Sequence, residues 1–228
     1  MIALSDRLPE ITSPAAEYLR IKCLFDSYKD GKDTYFWIQD GGKAVISLAD
    51  GDMTVYRTGG DADELSEFIN MMSPRSIFTS LDTFEAVGIV PVKTVNVMCR
   101  LSDIQEETAG DSLSSRELYG ILSAGGFDMP HYPFFAVDFC RRLNRGYADY
   151  FALSDKCAAV SFHSGNYALI NGIVSLEKGM GGAALTAILG KNTGRTVLAC
   201  CEDNITGFYG KYGFYILYRA GYWWKTQT

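Results

Sequence analysis

The sequence is poor in export and membrane signals. A membrane-crossing helix needs about 20 mostly apolar residues, and the longest uncharged glycine-rich apolar run, Gly179 to Gly190, has 12. Met1 to Pro9 carries Asp6 and Arg7, with no basic region ahead of an apolar core. We therefore expect a cytoplasmic protein with no membrane partner. Basic charge is also short. Lys and Arg number 21 against 27 Asp and Glu, a formal charge of −6. The positive footprint of a nucleic-acid binder is missing, so no nucleic-acid partner is expected.

Metal ligands are scarce in any useful pattern. The only histidines are His131 and His163, and none of the six cysteines (Cys23, Cys99, Cys140, Cys157, Cys200, Cys201) forms a Cys-x-x-Cys pair. Cys200 and Cys201 adjoin in a strand pattern, and neighbours in a strand point to opposite faces. They read as buried thiols, and we expect no metal. Two phosphate-binding signatures are absent as well. No glycine turn continues into Gly-Lys-Ser/Thr, and none has the third glycine of a dinucleotide fingerprint.

What is present is a folded chain. Its 228 residues are 47% hydrophobic and 21% charged, enough apolar surface to offset the ordering entropy. The length fits one large domain or two small ones. Tyr35–Ile38, Ala44–Leu48 and Met53–Tyr56 are β runs separated by Asp-Gly turns, an antiparallel meander. A helix follows over residues 61–72, with Leu65, Phe68, Ile69 and Met72 on one face and Pro74 behind it. Ser76–Thr79 is a short strand, Leu81–Val87 a short helix closed by Gly88, and Thr94–Leu101 a strand. The polar stretch 102–113 marks a boundary between domains at 1–105 and 113–228.

Beyond it the rhythm restarts. Helices are expected at 115–122 and 134–143, then β runs at 147–153, 157–163 and 167–176, joined at Ser154-Asp155 and Ser164-Gly165-Asn166. Gly179-Met180-Gly181-Gly182 leads into a helix at 183–189. A strand at 196–201, a helix opened by Asp203-Asn204 and closed by Gly213, and a strand at 214–219 complete the chain.

The strand–glycine turn–helix unit carries the chemistry. Glycines allow positive φ and close approach of the backbone. The helix behind them presents unpaired N–H groups and a positive dipole end. Together they suit a diphosphate, although a tight turn that merely packs closely reads the same way. The next strand ends in Glu202-Asp203-Asn204-Ile205-Thr206-Gly207-Phe208-Tyr209-Gly210-Lys211-Tyr212-Gly213-Phe214. Asn-x-x-x-Phe-Tyr-x-x-x-Gly-Phe after a strand, preceded by a strand, a Gly-x-Gly turn and a helix, resembles the GNAT superfamily of acetyl-CoA-dependent N-acetyltransferases. The resemblance covers about residues 114–220.

That resemblance implies an α/β fold of α+β type, a mixed and mostly antiparallel central sheet flanked by helices. It implies acetyl-CoA as cofactor. The backbone of Ile173, Val174 and Ser175 would bond the pantetheine arm, and the amides from Lys178 through Gly179, Met180, Gly181, Gly182 and Ala183 the diphosphate. Asn204 would hydrogen-bond the cofactor arm beside Phe208. Tyr209 would protonate the leaving thiolate. The reaction implied is direct transfer of an acetyl group to the amine of a small, amino-acid-like molecule. One departure stands out: Leu176 lies three residues before the first turn glycine, where the family usually carries Arg or Gln, and the loop is about four residues shorter than usual. The alternative is a non-catalytic module of the same fold that binds coenzyme A or a metabolite.

No general base declares itself. Glu177 reads as a solvated loop carboxylate, His163 as a hydrogen-bonded structural histidine, and Asp138 as a partner for Arg141 or Arg142. The aromatic tail Tyr215, Tyr218, Tyr222, Trp223 and Trp224 is open to three readings: a substrate pocket, a homodimer interface, or ordinary packing. The N-terminal half reads as a degenerate copy of the same fold. Its turn, Thr58-Gly59-Gly60-Asp61, puts Asp61 and Asp63 where a phosphate would sit, and like charges repel.

Overall fold

The structure is a computed structural model that describes every residue except 12, 30, 32, 33, 106, 107, 127, 128, 155 and 226–228. Asp155 of the expected hairpin turn, and Glu106 and Glu107 of the expected boundary stretch, therefore lie outside the described residues. The chain divides into two compact units, Met1–Cys99 with Cys200–Thr228, and Arg100–Ala199. This differs from the division read in the sequence, which kept 113–228 together. The last strand decides the matter, because it pairs on both sides with strands of the first unit.

In the first unit, β1 (Ile2–Leu4), β2 (Thr34–Gln39), β3 (Ala44–Ala49), β4 (Asp52–Arg57), β5 (Ser76–Ser80) and β6 (Lys93–Leu101) are joined by the closing strand, β11 (Tyr215–Trp224). The order is β1-β2-β3-β4-β5-β11-β6, and only β4 and β5 pair in parallel. Asp50 (φ 50°) and Gly51 (φ 81°) join β3 to β4. Two positive φ values in a two-residue loop match the right-handed strand twist, and Asp-Gly tolerates them. Helix α1 (Ala16–Tyr28) covers one face, packing Tyr18, Ile21 and Phe25 on Phe36 and Val45. Helices α2 (Ala62–Met72) and α3 (Leu81–Ala86) cover the other, packing Leu65, Ile69 and Phe84 on Ile46, Val55 and Ile77. Val45 and Ile46 thus serve opposite cores, as strand alternation requires.

Helix α1 is not expected from the sequence, whose first clear element is the strand at residue 35. The reason is physical. Its buried positions include Glu17 and Ser27 beside Tyr18, Leu19, Ile21 and Phe25, so polar side chains face inward and blur the apolar stripe.

In the second unit, α4 (Ser115–Ala124) and α5 (Tyr132–Asn144) precede β7 (Ala148–Leu153), β8 (Cys157–Ser164) and β9 (Tyr167–Ser175); α6 (Met180–Lys191) and β10 (Thr196–Cys201) follow. Ser114 and Glu117 form a reciprocal capping box that starts α4. The order is β10-β9-β8-β7, with β10 and β9 parallel and the rest antiparallel. Leu118, Leu122 and Phe139 of the first two helices pack on Ala152, Ala158, Val160 and Val174. From α6, Asn192 donates through Nδ2 to Ser161 Oγ at 2.9 Å, one residue along from Val160 and so on the opposite face. Meander, helix, parallel strand is therefore the sequence of events in both units. It is the mixed, mostly antiparallel architecture expected, helices on both faces.

Candidate functional site

In the second unit the turn is built by strand β9 and helix α6. Pairing of β9 with β10 runs from Tyr167–Thr196 to Ile170–Ala199 and ends there, while β9 continues to Ser175. At that point β9 carries a bulge. Val160 of β8 faces Gly172 and Ser161 faces Ile170, which leaves Asn171 as the extra, exposed residue. A bulge bends the strand and leaves one residue out of the ladder. Asn171 escaped the sequence reading, although Asn-Gly inside a strand run was the signal for it.

Beyond the bulge Ile173 is half-buried, Val174 is 3% exposed and anchored in the core, and Ser175 is exposed. Gly125 closes α4 directly against this anchor: a Cβ there would lie 2.4 Å from Val174 Cγ2. The short loop is held by its own bonds. Ser175 Oγ donates to the Glu177 carbonyl (2.6 Å), the Leu176 N–H to the Lys156 carbonyl (2.7 Å), and the Met180 N–H to the Glu177 carbonyl (3.2 Å). Lys178 is exposed beside it.

Gly179 is the N-cap of α6, with φ 90° and ψ −16°, and so brings no capping side chain of its own. The first-turn N–H groups of Gly181 and Gly182 have no acceptor within the helix, and Ala183 stands exposed at the same end. The equivalent helix of the first unit differs in one respect. The Asp61 carboxylate caps α2, accepting from the N–H groups of Asp63 (3.0 Å) and Glu64 (3.1 Å). That helix end is filled by its own anion, whereas no described residue fills the α6 end. Uncapped amides behind a glycine with free space around it suit a diphosphate. The α6 end thus suits the cofactor that the resemblance implies; Lys178 is exposed in the adjoining loop, and residue 176 is a leucine.

The other expected residues lie in the first unit. Asp203–Ile205 is a single 3₁₀ turn and α7 covers only Thr206–Gly210, so the one helix expected here is two short pieces. Asn204 is exposed on the first piece. Asp203 beside it is fixed by Asn96, whose Nδ2 donates to Oδ1 at 2.6 Å. Tyr209 is 7% exposed and meets Phe208 and Phe214 edge-on, with ring centroids 5.2 Å away in each case. Gly213 takes φ 79°, which returns the chain so that the Phe214 N–H donates to the Tyr209 carbonyl at 3.2 Å. That explains the spacing Phe-Tyr-x-x-x-Gly-Phe: two rings, a reversal and a third ring closing on them. Burial pushes the Tyr209 phenol well above its ordinary range, so it remains protonated at neutral pH. Burial likewise raises the thiols of Cys200 and Cys201 to about 11. Neither supplies a thiolate nucleophile.

The residues set aside in the sequence have partners. His163 Nε2 lies 3.0 Å from Asp149 Oδ2, Arg142 Nε donates to Asp138 Oδ1 at 2.9 Å, and Glu177 stands 3.5 Å from Lys156. Among the described residues no group of three His, Cys, Asp or Glu side chains can hold a metal ion, and no helix is long and apolar enough to cross a membrane.

In sequence, the chain matches no family model and no curated protein. In structure it resembles several solved proteins. A GCN5-related N-acetyltransferase from Kribbella flavida aligns with 93% of this chain and 95% of its own, at a TM-score of 0.62 and 11% identity. A tandem GNAT protein from the clavulanic acid biosynthesis pathway covers 95% and 89%, with a TM-score of 0.54 and 15% identity. A GCN5-related N-acetyltransferase from Sphaerobacter thermophilus covers 84% and 80%, at 0.52 and 12%. With the alignments spanning nearly the whole chain, and with a parallel strand pair behind each meander, this protein has the fold of the GCN5-related N-acetyltransferases.

Proposed function

We propose that the protein is an N-acetyltransferase that moves an acetyl group from acetyl-CoA to the amine of a small, amino-acid-like molecule. One observation carries the reading: of the two equivalent helix ends, α2 is capped by Asp61, whereas α6 starts at a glycine and no side chain among the described residues caps it. In this reading the amides of residues 179–183, with Lys178, hold the diphosphate. The backbone of Ile173, Val174 and Ser175 holds the pantetheine arm, and Asn204 adds a hydrogen bond. The cofactor supplies an activated thioester. Tyr209, neutral over the working pH range, donates a proton or a strong hydrogen bond to the departing sulfur. The backbone released at the Asn171 bulge is a donor for the developing oxyanion.

The test is a pair of measurements on wild type and Tyr209→Phe. Calorimetry with coenzyme A should show binding that the substitution leaves within about twofold, because the hydroxyl contributes to the transition state and not to the resting complex. Thiol release in a screen of amines and amino acids should fall roughly 100-fold in kcat, the low end for loss of a general acid. A second reading keeps the binding and drops the transfer. It is favoured by Leu176, 43% exposed where the family carries a polar anchor. Coenzyme A binding with no thiol release from any amine would establish it; no binding at all would remove both.

A further inference from the structure

The first unit holds a cavity of about 490 Å³ where β4 and β5 part. Their parallel pairing runs from Asp52–Ser76 to Thr54–Phe78. One step on, the Thr79 hydroxyl donates to the Val55 carbonyl at 2.6 Å in place of a ladder bond. The cavity opens beyond, between Tyr56 and Arg57 at the end of β4, Ser80 at the end of β5, Asp82 at the start of α3, and Glu17 of α1. Its size falls in the roughly 300–1,000 Å³ range of small-ligand sites.

Two of its wall residues have side-chain atoms that are buried and make no hydrogen bond: Glu17 Oε1 and Arg57 Nε. They are of opposite charge. Glu17 is 2% exposed. Its other oxygen, Oε2, accepts from the Tyr218 hydroxyl, which in turn accepts from the Ala16 N–H at 2.9 Å. Tyr218 is placed for this by a bulge in β11, where Ile216 faces Met98 and Tyr218 faces Val97, leaving Leu217 extra. Arg57 donates through Nη2 to the Gly60 carbonyl at 3.2 Å, which fixes the guanidinium and leaves Nε over. Arg20, one turn along α1, acts on Glu17 only through its field: its hydrogen bond goes to Tyr222 Oη at 2.7 Å and its guanidinium lies 3.8 Å above the Phe78 ring. Burying a carboxylate oxygen without a partner is costly. A fold that keeps one beside a cavity, stiffened by a tyrosine, has it ready for a cation.

We propose that this cavity binds a small zwitterion, a free α-amino acid or an analogue of similar size, with its ammonium on Glu17 and its carboxylate on Arg57. Tyr56, Tyr218, Leu81 and Ala15 supply the apolar wall for the remainder. The site lies within one unit and stands independently of the acetyl-transfer reading.

The experiment is calorimetry of the full chain with each of the twenty L-amino acids in turn, without acetyl-CoA. The best ligand is then compared with its N-acetyl and its carboxamide derivatives. Binding in the millimolar range or tighter is expected for at least one amino acid. Removing either charge from the ligand should weaken it at least tenfold, the loss expected for a buried charge-assisted hydrogen bond. Glu17→Gln and Arg57→Gln should each do the same while the protein unfolds at its usual temperature or above. No binding by any amino acid overturns the proposal. So does binding that both derivatives retain, or that both variants retain. Because no coenzyme A enters the titration, failure here leaves the transferase reading as it was.

Discussion

Replacing Gly179 by alanine tests the turn that the functional reading depends on. At φ 90° and ψ −16° the residue is in a region that L-residues rarely adopt, and no atom lies within 4 Å of the point an alanine Cβ would occupy. Steric contact therefore contributes nothing, and the whole effect is backbone strain of roughly 1–2 kcal/mol. For a chain of this length each kcal/mol lowers Tm by about 2–4 °C, so a fall of about 2–8 °C is expected by differential scanning calorimetry. Relaxing the strain rotates the N–H groups at the start of α6 away from their common focus. Coenzyme A affinity, measured by titration calorimetry, should drop at least tenfold, about 1.4 kcal/mol. Gly120→Ala is the control. It lies within α4, also with nothing within 4 Å, and alanine there should leave affinity unchanged and raise stability by about 0.5–1 kcal/mol. Lower stability with unchanged affinity would refute the role of the turn in holding the diphosphate. Unchanged stability would refute the strain argument itself.

Two other outcomes follow from the same geometry. Gly125→Ala puts a Cβ 2.4 Å and 2.7 Å from the two methyls of Val174, so α4 or β9 must shift; overpacking of this kind costs about 1–3 kcal/mol, and thermal melts should show it. Burial raises the pKa of Glu17 above its ordinary value of 4.5, against the Tyr218 hydrogen bond that pulls the other way. The folded state therefore binds more protons than the unfolded one just above pH 4.5, and stability from this group is full below that pH and is lost as pH rises through the raised value. Glu17→Gln should melt near wild type at pH 4 and increasingly above it toward neutrality; a constant difference across that range would remove Glu17 as the titrating group.

The meander, both glycine turns and the Phe-Tyr-x-x-x-Gly-Phe reversal were legible because each rests on local chemistry. Asp-Gly at 50–51 takes two positive φ values, and Gly213 turns the chain onto Tyr209. The features that stayed hidden depend on distant partners. Helix α1 turns Glu17 inward, and only the structure shows Tyr218, two hundred residues along, donating to it. The grouping of residues 200–228 with the first unit was equally unreadable, since strand pairing between residues so far apart leaves no local trace. The aromatic tail divided among roles that no spacing separates: Tyr218 lines the cavity, Tyr222 receives Arg20, Trp223 packs in a core, and Tyr215 remains 60% exposed.

The Asp61 cap has a wider meaning for two units that each run from a meander through a helix to a parallel strand. A carboxylate at a helix start both steadies the helix and fills the seat where a foreign anion would rest. One acidic residue thus closes a helix end to outside anions while making its host sturdier.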